Sequence, residues 1–366
     1  NTLTGYYESV GNDKLKWERT TEFDLGIDLG LFDRVNLTVD YYNRNTSDLL
    51  FNVPIPSTSG FSSVLSNVGE VNNKGLEIAV NADVFHNSDW KINVGANFTY
   101  NKNKITELYN GKDELLIQTG NTGIDQKLVV GESVNAIYAR HSLGIIKDQE
   151  TLDWYKSYVP NTAANAKLGE EMYEDVDGDG SITQKDYKSM GSAEPPYFYG
   201  FNVNVAWKKF TLDIYGQGAF KYASIAGAED MYANNTKWAI GYQNTGSYCL
   251  WAENSVRDLI GLPSQYAYDR MWSETNTGGS FPRPGANGIY QSDRTNADWA
   301  YFILRNIQVG YDFSNLIPRN LFKEVKFTVN FQNFVSWANH RGYNPENGDV
   351  GNPFAKTILF GISAKF

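Results

Sequence analysis

The chain has 366 residues, a formal net charge of −10 and a hydrophobic fraction of 41%. It lacks the run of about 18 apolar residues that a membrane-spanning helix needs, and it lacks the basic stripe that nucleic-acid binding needs. The single cysteine, Cys249, excludes a disulfide framework. The three histidines, His86, His141 and His340, are too scattered to indicate a catalytic metal site.

The first predicted element, residues 21–31, alternates between two kinds of side chain. Acidic residues or glycine occupy the even-numbered positions. The odd-numbered positions are apolar: Phe23, Leu25, Ile27, Leu29 and Leu31. Successive side chains of a strand point to opposite faces, so the pattern predicts a strand with one apolar face. The same period predicts further strands at 35–42, 76–84, 90–100, 201–207, 210–217, 303–313, 325–334 and 357–366.

The links between these strands alternate in length. Short links are followed by long ones, of which the longest are 104–195 and 223–297. A soluble β-sandwich also shows period-2 alternation, but compact soluble domains rarely carry links of this size. Outer-membrane barrels combine short periplasmic turns with long extracellular loops. We therefore expect an all-β fold, a transmembrane antiparallel β-barrel in which 104–195 and 223–297 are extracellular loops.

Aromatic residues mark both ends of the predicted strands. Trp90 and Trp207 adjoin short links, while Tyr41, Tyr100 and Trp299 lie near the opposite ends, as expected for interfacial girdles. The last strand is amphipathic and ends on phenylalanine, which resembles the assembly signal of outer-membrane barrels. The alternative for these aromatic residues is ordinary core packing.

Nine strands with the last ending in the periplasm do not make a complete single-chain barrel, because such barrels have even strand numbers. Residues 1–20 then belong to an extracellular loop and show no secretion signal. We expect that the beginning of the protein is missing. The rest of the wall would come from that missing sequence or from another chain, since an open sheet edge is not tolerated in lipid.

Several segments resemble the SusC-like branch of TonB-dependent outer-membrane transporters, which is typical of Bacteroidetes. They occur in the expected order and cover nearly the whole chain: LKWE at 15–18, NVGEVNNKGLE at 67–77, LRNIQVGY at 304–311, QNF at 332–334 and GYNPE at 342–346.

By this resemblance, residues 1–366 are the C-terminal part of a plugged barrel of about 22 strands, located in the bacterial outer membrane. The resemblance implies TonB-dependent import of oligosaccharides or peptides with a SusD-like surface lipoprotein, in a dimer of such pairs surrounded by membrane lipid. It also implies that the TonB complex is contacted through an N-terminal region, and that the chain is not an enzyme. The plug and TonB box are not found in this sequence.

One motif indicates chemistry of its own. Residues 175–186, DVDGDGSITQKD, have the spacing of an EF-hand calcium loop, with Gly180 permitting the sharp turn. The predicted ligands are Asp175, Asp177, Asp179, Ser181 through its carbonyl, and Asp186. Because position twelve is Asp186 rather than glutamate, the site could be weaker and could accept Mg²⁺ in place of Ca²⁺. A solvated Asp-Gly turn is the alternative, and a bound ion would serve to pin the loop 104–195.

Weaker candidates remain for substrate contact. Aromatic residues of the predicted loops could stack on sugar rings or simply pack within their own loop: Trp154, Tyr155, Trp238, Trp251 and Trp272. Acidic residues face the predicted lumen, where most would only be hydrated: Asp24, Asp28, Asp40, Glu77 and Asp213. Two other functions remain open, a secreted calcium-stabilised β-rich carbohydrate-binding module or adhesin, and an all-β carbohydrate-active enzyme.

Overall fold

The computed structural model describes residues 11–61, 63–108, 111–118, 124–224, 269–283, 292–317, 322–340, 344–348 and 354–365. In chain order the strands are β1 Arg19–Leu31, β2 Val35–Ser47, β3 Leu50–Pro54, β4 Ser63–Asn67, β5 Gly69–His86, β6 Trp90–Leu108, β7 Glu114–Gln118, β8 Ile124–Val129, β9 Ala136–Arg140, β10 Ser142–Ile145, β11 Glu171–Tyr173, β12 Tyr187–Ser192, β13 Tyr197–Trp207, β14 Phe210–Tyr222, β15 Trp299–Asp312, β16 Glu324–Gln332, β17 Val335–Ala338 and β18 Thr357–Lys365. The α-helices are α1 Gln149–Tyr158, α2 Pro160–Ala163 and α3 Asp293–Asn296, and 3-10 turns cover Ser57–Ser59, Gln184–Asp186 and Ser314–Leu316.

One antiparallel sheet dominates the structure. Its path is β1-β2-β5-β6-β13-β14-β15-β16-β18, with β17 also paired to β15. Every strand predicted from period-2 alternation lies in this sheet, which confirms the predicted order of elements. The predicted strand 325–334 corresponds to β16 and ends at a break before β17. The break lies at Asn333, where φ is 61°, and β16 and β17 pair with different parts of β15.

The two faces of the sheet differ in chemistry all the way across. On one face, register places apolar residues opposite one another, as in the row Ile27, Val39, Ile78 and Phe98. Within the residues that the structure describes, no second sheet covers these side chains: Phe23 at one edge is 58% exposed and Ile362 at the other is 77% exposed. A soluble sandwich would bury this face, whereas a barrel wall turns it towards lipid.

Two aromatic bands cross the apolar face. Near the short links, Trp90 stacks on Trp207 at 5.4 Å between ring centroids. Near the other end, Tyr100 stacks on Tyr197 at 5.0 Å. Ten residues of β6 separate the bands, which corresponds to about 33 Å along the strand, or about 25 Å along the membrane normal at a tilt near 40°. The predicted girdles are therefore present at the separation that a bilayer requires.

Trp299 was predicted to belong to a girdle, and this prediction is wrong. The side chain is only 2% exposed and stacks on His340 at 3.9 Å. A register shift at Arg305 of β15 reverses the faces of the residues before it, so Trp299 packs on the polar side of the sheet with Tyr222, Tyr301 and Ile303. The shift breaks the alternation from which the sequence prediction was made.

The short links are tight turns, and they lie at the same end of the strands as Trp90 and Trp207. Phe32 and Asp33, between β1 and β2, have φ values of 56° and 54°. Two successive left-handed residues match the right-handed twist of the flanking strands. Lys208, between β13 and β14, has φ of 51°. These turns bring the lower ends of neighbouring strands together in the predicted register.

The predicted long loop 104–195 is a folded insert. Its first residues continue β6 to Leu108, because pairing with β5 persists beyond Tyr100 and the aromatic band at that end of the strands. The apolar stretch of the sheet between the two aromatic bands is called the apolar band below. The insert contains the sheet β12-β9-β8-β7 and the two-stranded antiparallel sheet β10-β11. It also contains α1 and α2, which pack Leu152, Tyr155 and Val159 against Ile146 and Met172.

Of the predicted loop 223–297, the structure describes 223–224, 269–283 and 292–297, including α3. Within the described ranges, none of the helices combines the length and apolarity needed to cross a membrane.

The two faces of the sheet predict opposite responses to the same substitution at neighbouring residues. Val94→Arg places a charge at mid-height on the apolar face, and we expect the free energy of unfolding to fall by about 2–4 kcal/mol. Asn93→Arg, on the polar face, should have little effect. Urea unfolding of the full-length receptor in lipid vesicles measures both, and equal losses would contradict the assignment of faces.

Candidate functional site

The predicted calcium loop lies between β11 and β12, at the end of the insert next to α2. It brings carboxylate oxygens of Asp175, Asp177 and Asp186 within 4.8 Å of one another. Three of the five predicted ligands therefore converge. The grouping places three negative charges close together, with the ammonium of Lys185 at 3.7 Å from Asp177 as a partial counter-charge.

Asp175 shapes the first half of the loop. Its Oδ1 accepts the backbone N–H of Gly178 at 2.8 Å and its Oδ2 accepts that of Gly180 at 2.8 Å. Both glycines have left-handed φ values, 73° and 78°. Glycine adopts this conformation without steric cost, so the turn predicted at position six is formed.

Asp186 closes the loop from within. The residue is 0% exposed, and its carboxylate accepts the backbone N–H groups of Val176 at 2.8 Å and Thr183 at 2.7 Å. Thr183 and Asp186 also form a capping box at the 3-10 turn that leads into β12. The short aspartate side chain thus organises the loop backbone as well as contributing to the carboxylate cluster.

Asp179 is not among the three grouped carboxylates, and Ser181 was predicted to contribute a backbone carbonyl. The Oδ1 of Asp179 accepts the backbone N–H of Ser181 at 2.8 Å. Asn161 of α2 donates its side-chain N–H to the carbonyl of Asp179 at 3.4 Å and to the hydroxyl of Ser181 at 3.2 Å. The loop is therefore fixed to α2 at this point.

Sequence reasoning missed two residues that hold the loop. Asn161 is one, and Tyr158 of α1 is the other: its hydroxyl donates to the carbonyl of Asp175 at 3.2 Å and accepts the N–H of the same residue at 3.1 Å. Both lie in helices that carry no motif, so only the tertiary fold reveals them.

The donor chemistry of the loop fits a hard divalent cation. Carboxylate oxygens are the ligands that Ca²⁺ and Mg²⁺ prefer. Three carboxylates within 4.8 Å repel one another, and a bound cation would remove this repulsion. Asp175, Asp177 and Asp186 are the residues that would hold the ion.

Next to the loop, the insert has a buried polar interior. Burial raises the pKa of the Tyr155 phenol above its ordinary value, and the N–H that Tyr173 donates to it at 3.0 Å opposes this rise. At the start of α1, the N–H of Thr151 donates to Asp148 and holds the pKa of that carboxyl below its ordinary value.

The insert and the second long loop are joined by ion pairs. Glu171, whose side chain is 1% exposed, pairs with Arg294 at 2.9 Å. Glu170 pairs with Arg283 at 3.1 Å. The two segments, predicted as separate loops, are linked through side chains more than a hundred residues apart in sequence.

The segment between β17 and β18 contacts the main sheet. Glu346, part of the motif at 342–346, forms an ion pair with Arg305 of β15. The hydroxyl of Tyr222 donates to the carbonyl of Glu346 at 2.6 Å. Arg305 is the extra residue of a bulge, since Asn306 and Leu304 pair with consecutive residues of β14.

The polar face of the sheet carries a row of hydrogen-bonding side chains. Asn204 donates to Asp213 at 2.9 Å, Gln308 donates to the same carboxylate at 3.5 Å, and Asn330 donates to Gln308 at 3.4 Å. The row crosses β13, β14, β15 and β16. The predicted lumen residues lie on this face as well, as shown by the cross-strand neighbours Asp40 and Glu77.

The loop aromatic residues have different surroundings. Trp154 is 50% exposed and stacks on Tyr158 at 5.1 Å, while Tyr155 is buried in the core of the insert. Trp272 is buried and donates its indole N–H to the carbonyl of Lys147 at 3.3 Å. Trp238 and Trp251 lie outside the described residues.

The wall, with its apolar outside and polar inside, matches a known group of proteins. The profile of the family described as "TonB dependent receptor-like, beta-barrel" matches residues 1–334. The chain belongs to this family. Membership agrees with the predicted outer-membrane location and with the expectation that the chain is not an enzyme.

Individual members of the family cover nearly all of the chain. TonB-dependent receptor P3 of Formosa agariphila is 30% identical over an alignment of 377 positions, which covers 97% of this chain and 35% of the receptor. TonB-dependent receptor SusC of Bacteroides thetaiotaomicron is 27% identical over 97% of this chain and 32% of its own length. The predicted SusC-like resemblance is thereby confirmed, and the chain spans about a third of these receptors.

A solved structure shows the same fold. The RagAB peptide transporter superposes on 100% of this chain and 38% of its own chain with a TM-score of 0.74, at 23% sequence identity. The described sheet is therefore part of the wall of a TonB-dependent receptor barrel. In outer-membrane barrels generally, short turns face the periplasm and long loops face outwards.

Asp186→Ala is expected to loosen the insert whether or not a cation is bound. The substitution leaves the N–H groups of Val176 and Thr183 without their acceptor, which costs about 1–3 kcal/mol. Amide hydrogen exchange of residues 171–192 in the full-length receptor should become faster. Glu150→Ala, which removes an exposed carboxylate of α1, is the control, and equal exchange in both variants would contradict the role given to Asp186.

Proposed function

We propose that the protein is an outer-membrane importer that takes up oligosaccharides or peptides in a TonB-dependent manner, together with a SusD-like surface lipoprotein. Two transporter–lipoprotein pairs would form the working dimer. The TonB complex would be reached through the part of the receptor that lies outside this chain.

The observation that carries the proposal is the polar inner face of a lipid-facing wall. The hydrogen-bonded row of Asn204, Asp213, Gln308 and Asn330 offers amide and carboxylate groups to the lumen. Such groups suit the hydroxyls of sugars and the amides of peptides. Similarity to SusC and to the RagAB peptide transporter supports the same class of function.

The import proposal is tested with the intact receptor in its native cells. Deleting the receptor should abolish uptake of one class of labelled oligomer, from a panel of oligosaccharides and peptides, and deleting TonB should have the same effect. Re-expressing the full-length receptor should restore uptake, and the surface lipoprotein should co-purify with it. Uptake that is unchanged across the whole panel after deletion would refute the proposal.

We further propose that the loop 175–186 binds Ca²⁺, with Mg²⁺ as a weaker competitor, and that the ion has a structural role. The support is the convergence of Asp175, Asp177 and Asp186 on a loop already shaped by its own backbone hydrogen bonds. Its position against α1 and α2 means that a bound ion would stiffen the insert.

Calcium addition to the EDTA-treated full-length receptor should slow hydrogen exchange across residues 146–192. At a free concentration of 100 times Kd, the insert should be stabilised by about 2.7 kcal/mol. Asp177→Asn should remove the response. Asp89→Asn, which neutralises an acidic residue in a periplasmic turn, should keep it. The same response in the Asp177→Asn variant would disprove the site.

A further inference from the structure

Three lysines lie together where β5 and β6 leave the apolar band. Lys74 and Lys102 are direct cross-strand neighbours, and Lys104 is opposite Asn72 at the next position on the same face. Lys102 is two residues beyond Tyr100 of the outer aromatic band, or about 7 Å along the strand. The lysines therefore share the lipid-facing side of the wall and lie at the height of the outer-leaflet headgroups.

The arrangement is electrostatically unfavourable as it stands. Like charges directly opposite one another destabilise a pair of strands. All three lysines are exposed, and within the described part of the chain none has a carboxylate oxygen within the 4.0 Å of an ion pair. An anion from outside the protein would remove the repulsion.

Nearby carboxylates have other positions or partners. Glu70 and Glu107 face each other farther out along β5 and β6, and Glu70 accepts a hydrogen bond from Asn45 at 3.3 Å. Glu132, which borders a cavity of about 290 Å³ with Lys102, accepts the hydroxyl of Ser189 at 3.1 Å.

The surroundings suit a molecule that has an anionic head and an apolar body. Below the lysines, the same face continues with Leu76 and Tyr100 and then with the apolar band. Beside them, Asn43 and Asn72 form a hydrogen-bonded amide pair at 2.7 Å. Ammonium groups bind phosphate as point charges, and anionic headgroups attract basic residues at a membrane surface.

We propose that Lys74, Lys102 and Lys104 form a binding site for the phosphate of an anionic lipid in the outer leaflet. The acyl chains of this lipid would cover the apolar wall below. The site would hold one lipid against β5 and β6, and it is independent of the substrate that the lumen carries.

The test uses the full-length receptor in detergent, titrated with phosphorylated lipid A and followed by native mass spectrometry. The triple variant Lys74→Gln, Lys102→Gln, Lys104→Gln should bind the lipid more weakly, by about fivefold for each lysine removed. The control variant Lys91→Gln, Lys209→Gln, Lys326→Gln removes equal charge elsewhere and should bind like the unaltered receptor. Equal binding by both triple variants overturns the proposal.

Two further arms identify the ligand. Dephosphorylated lipid A should bind the receptor and the triple variant alike, and a loss of its binding in the variant would assign the effect to packing and overturn the proposal. Inorganic phosphate at millimolar concentration should not displace the lipid; full displacement would mark a general anion site instead. If the triple variant fails to assemble, the single variants Lys74→Gln and Lys102→Gln must each give the fivefold loss.

Discussion

Hydrogen bonding between neighbouring strands is the constraint on which the rest of the structure depends. Inside a bilayer no water can satisfy a backbone N–H or C=O, so each spanning strand must be paired along its whole length. The continuous registers of β1 with β2 and of β13 with β14 meet this requirement. Because strands alternate their side chains, the pairing also fixes one face towards lipid and the other towards the lumen.

The same constraint applies to the edges of the sheet. In the described residues, β1 and β18 are not paired with each other. The chain covers about a third of its relatives P3 and SusC. In a complete barrel of this family, strands from the rest of the receptor would pair with β1 and β18, because an unpaired edge is not tolerated in lipid. The exposed apolar side chains of β1 and β18, such as Leu25 and Phe360, are the outer surface of that larger wall.

The membrane-spanning strands could be predicted from sequence because one face is apolar and the other polar, which gives a clear period of two. The insert could not be predicted in the same way. Its strand β9 is buried on both faces, so Ala136–Arg140 shows no alternation. Trp299 was misplaced because a register shift changes the face of its side chain.

Only the part of the candidate cation site that is formed by local turns could be predicted from the sequence. Asp175, Asp177 and Asp186 converge through local turns whose residues are visible in the motif. The contacts of Tyr158 and Asn161 depend on how α1 and α2 pack, which local spacing does not encode. Asp179 stays a predicted ligand, and its Oδ1 also accepts the backbone N–H of Ser181.

The pairing of Glu171 with Arg294 has a consequence for how receptors of this kind diversify. The carboxylate is nearly inaccessible, so losing either partner leaves a charge that is costly to bury. A change at one position is therefore tolerated only with a matching change at the other, although the two lie in different loops. Sequence drift on the outer surface should accordingly be correlated between these two segments and relatively free at solvent-facing positions such as Trp154.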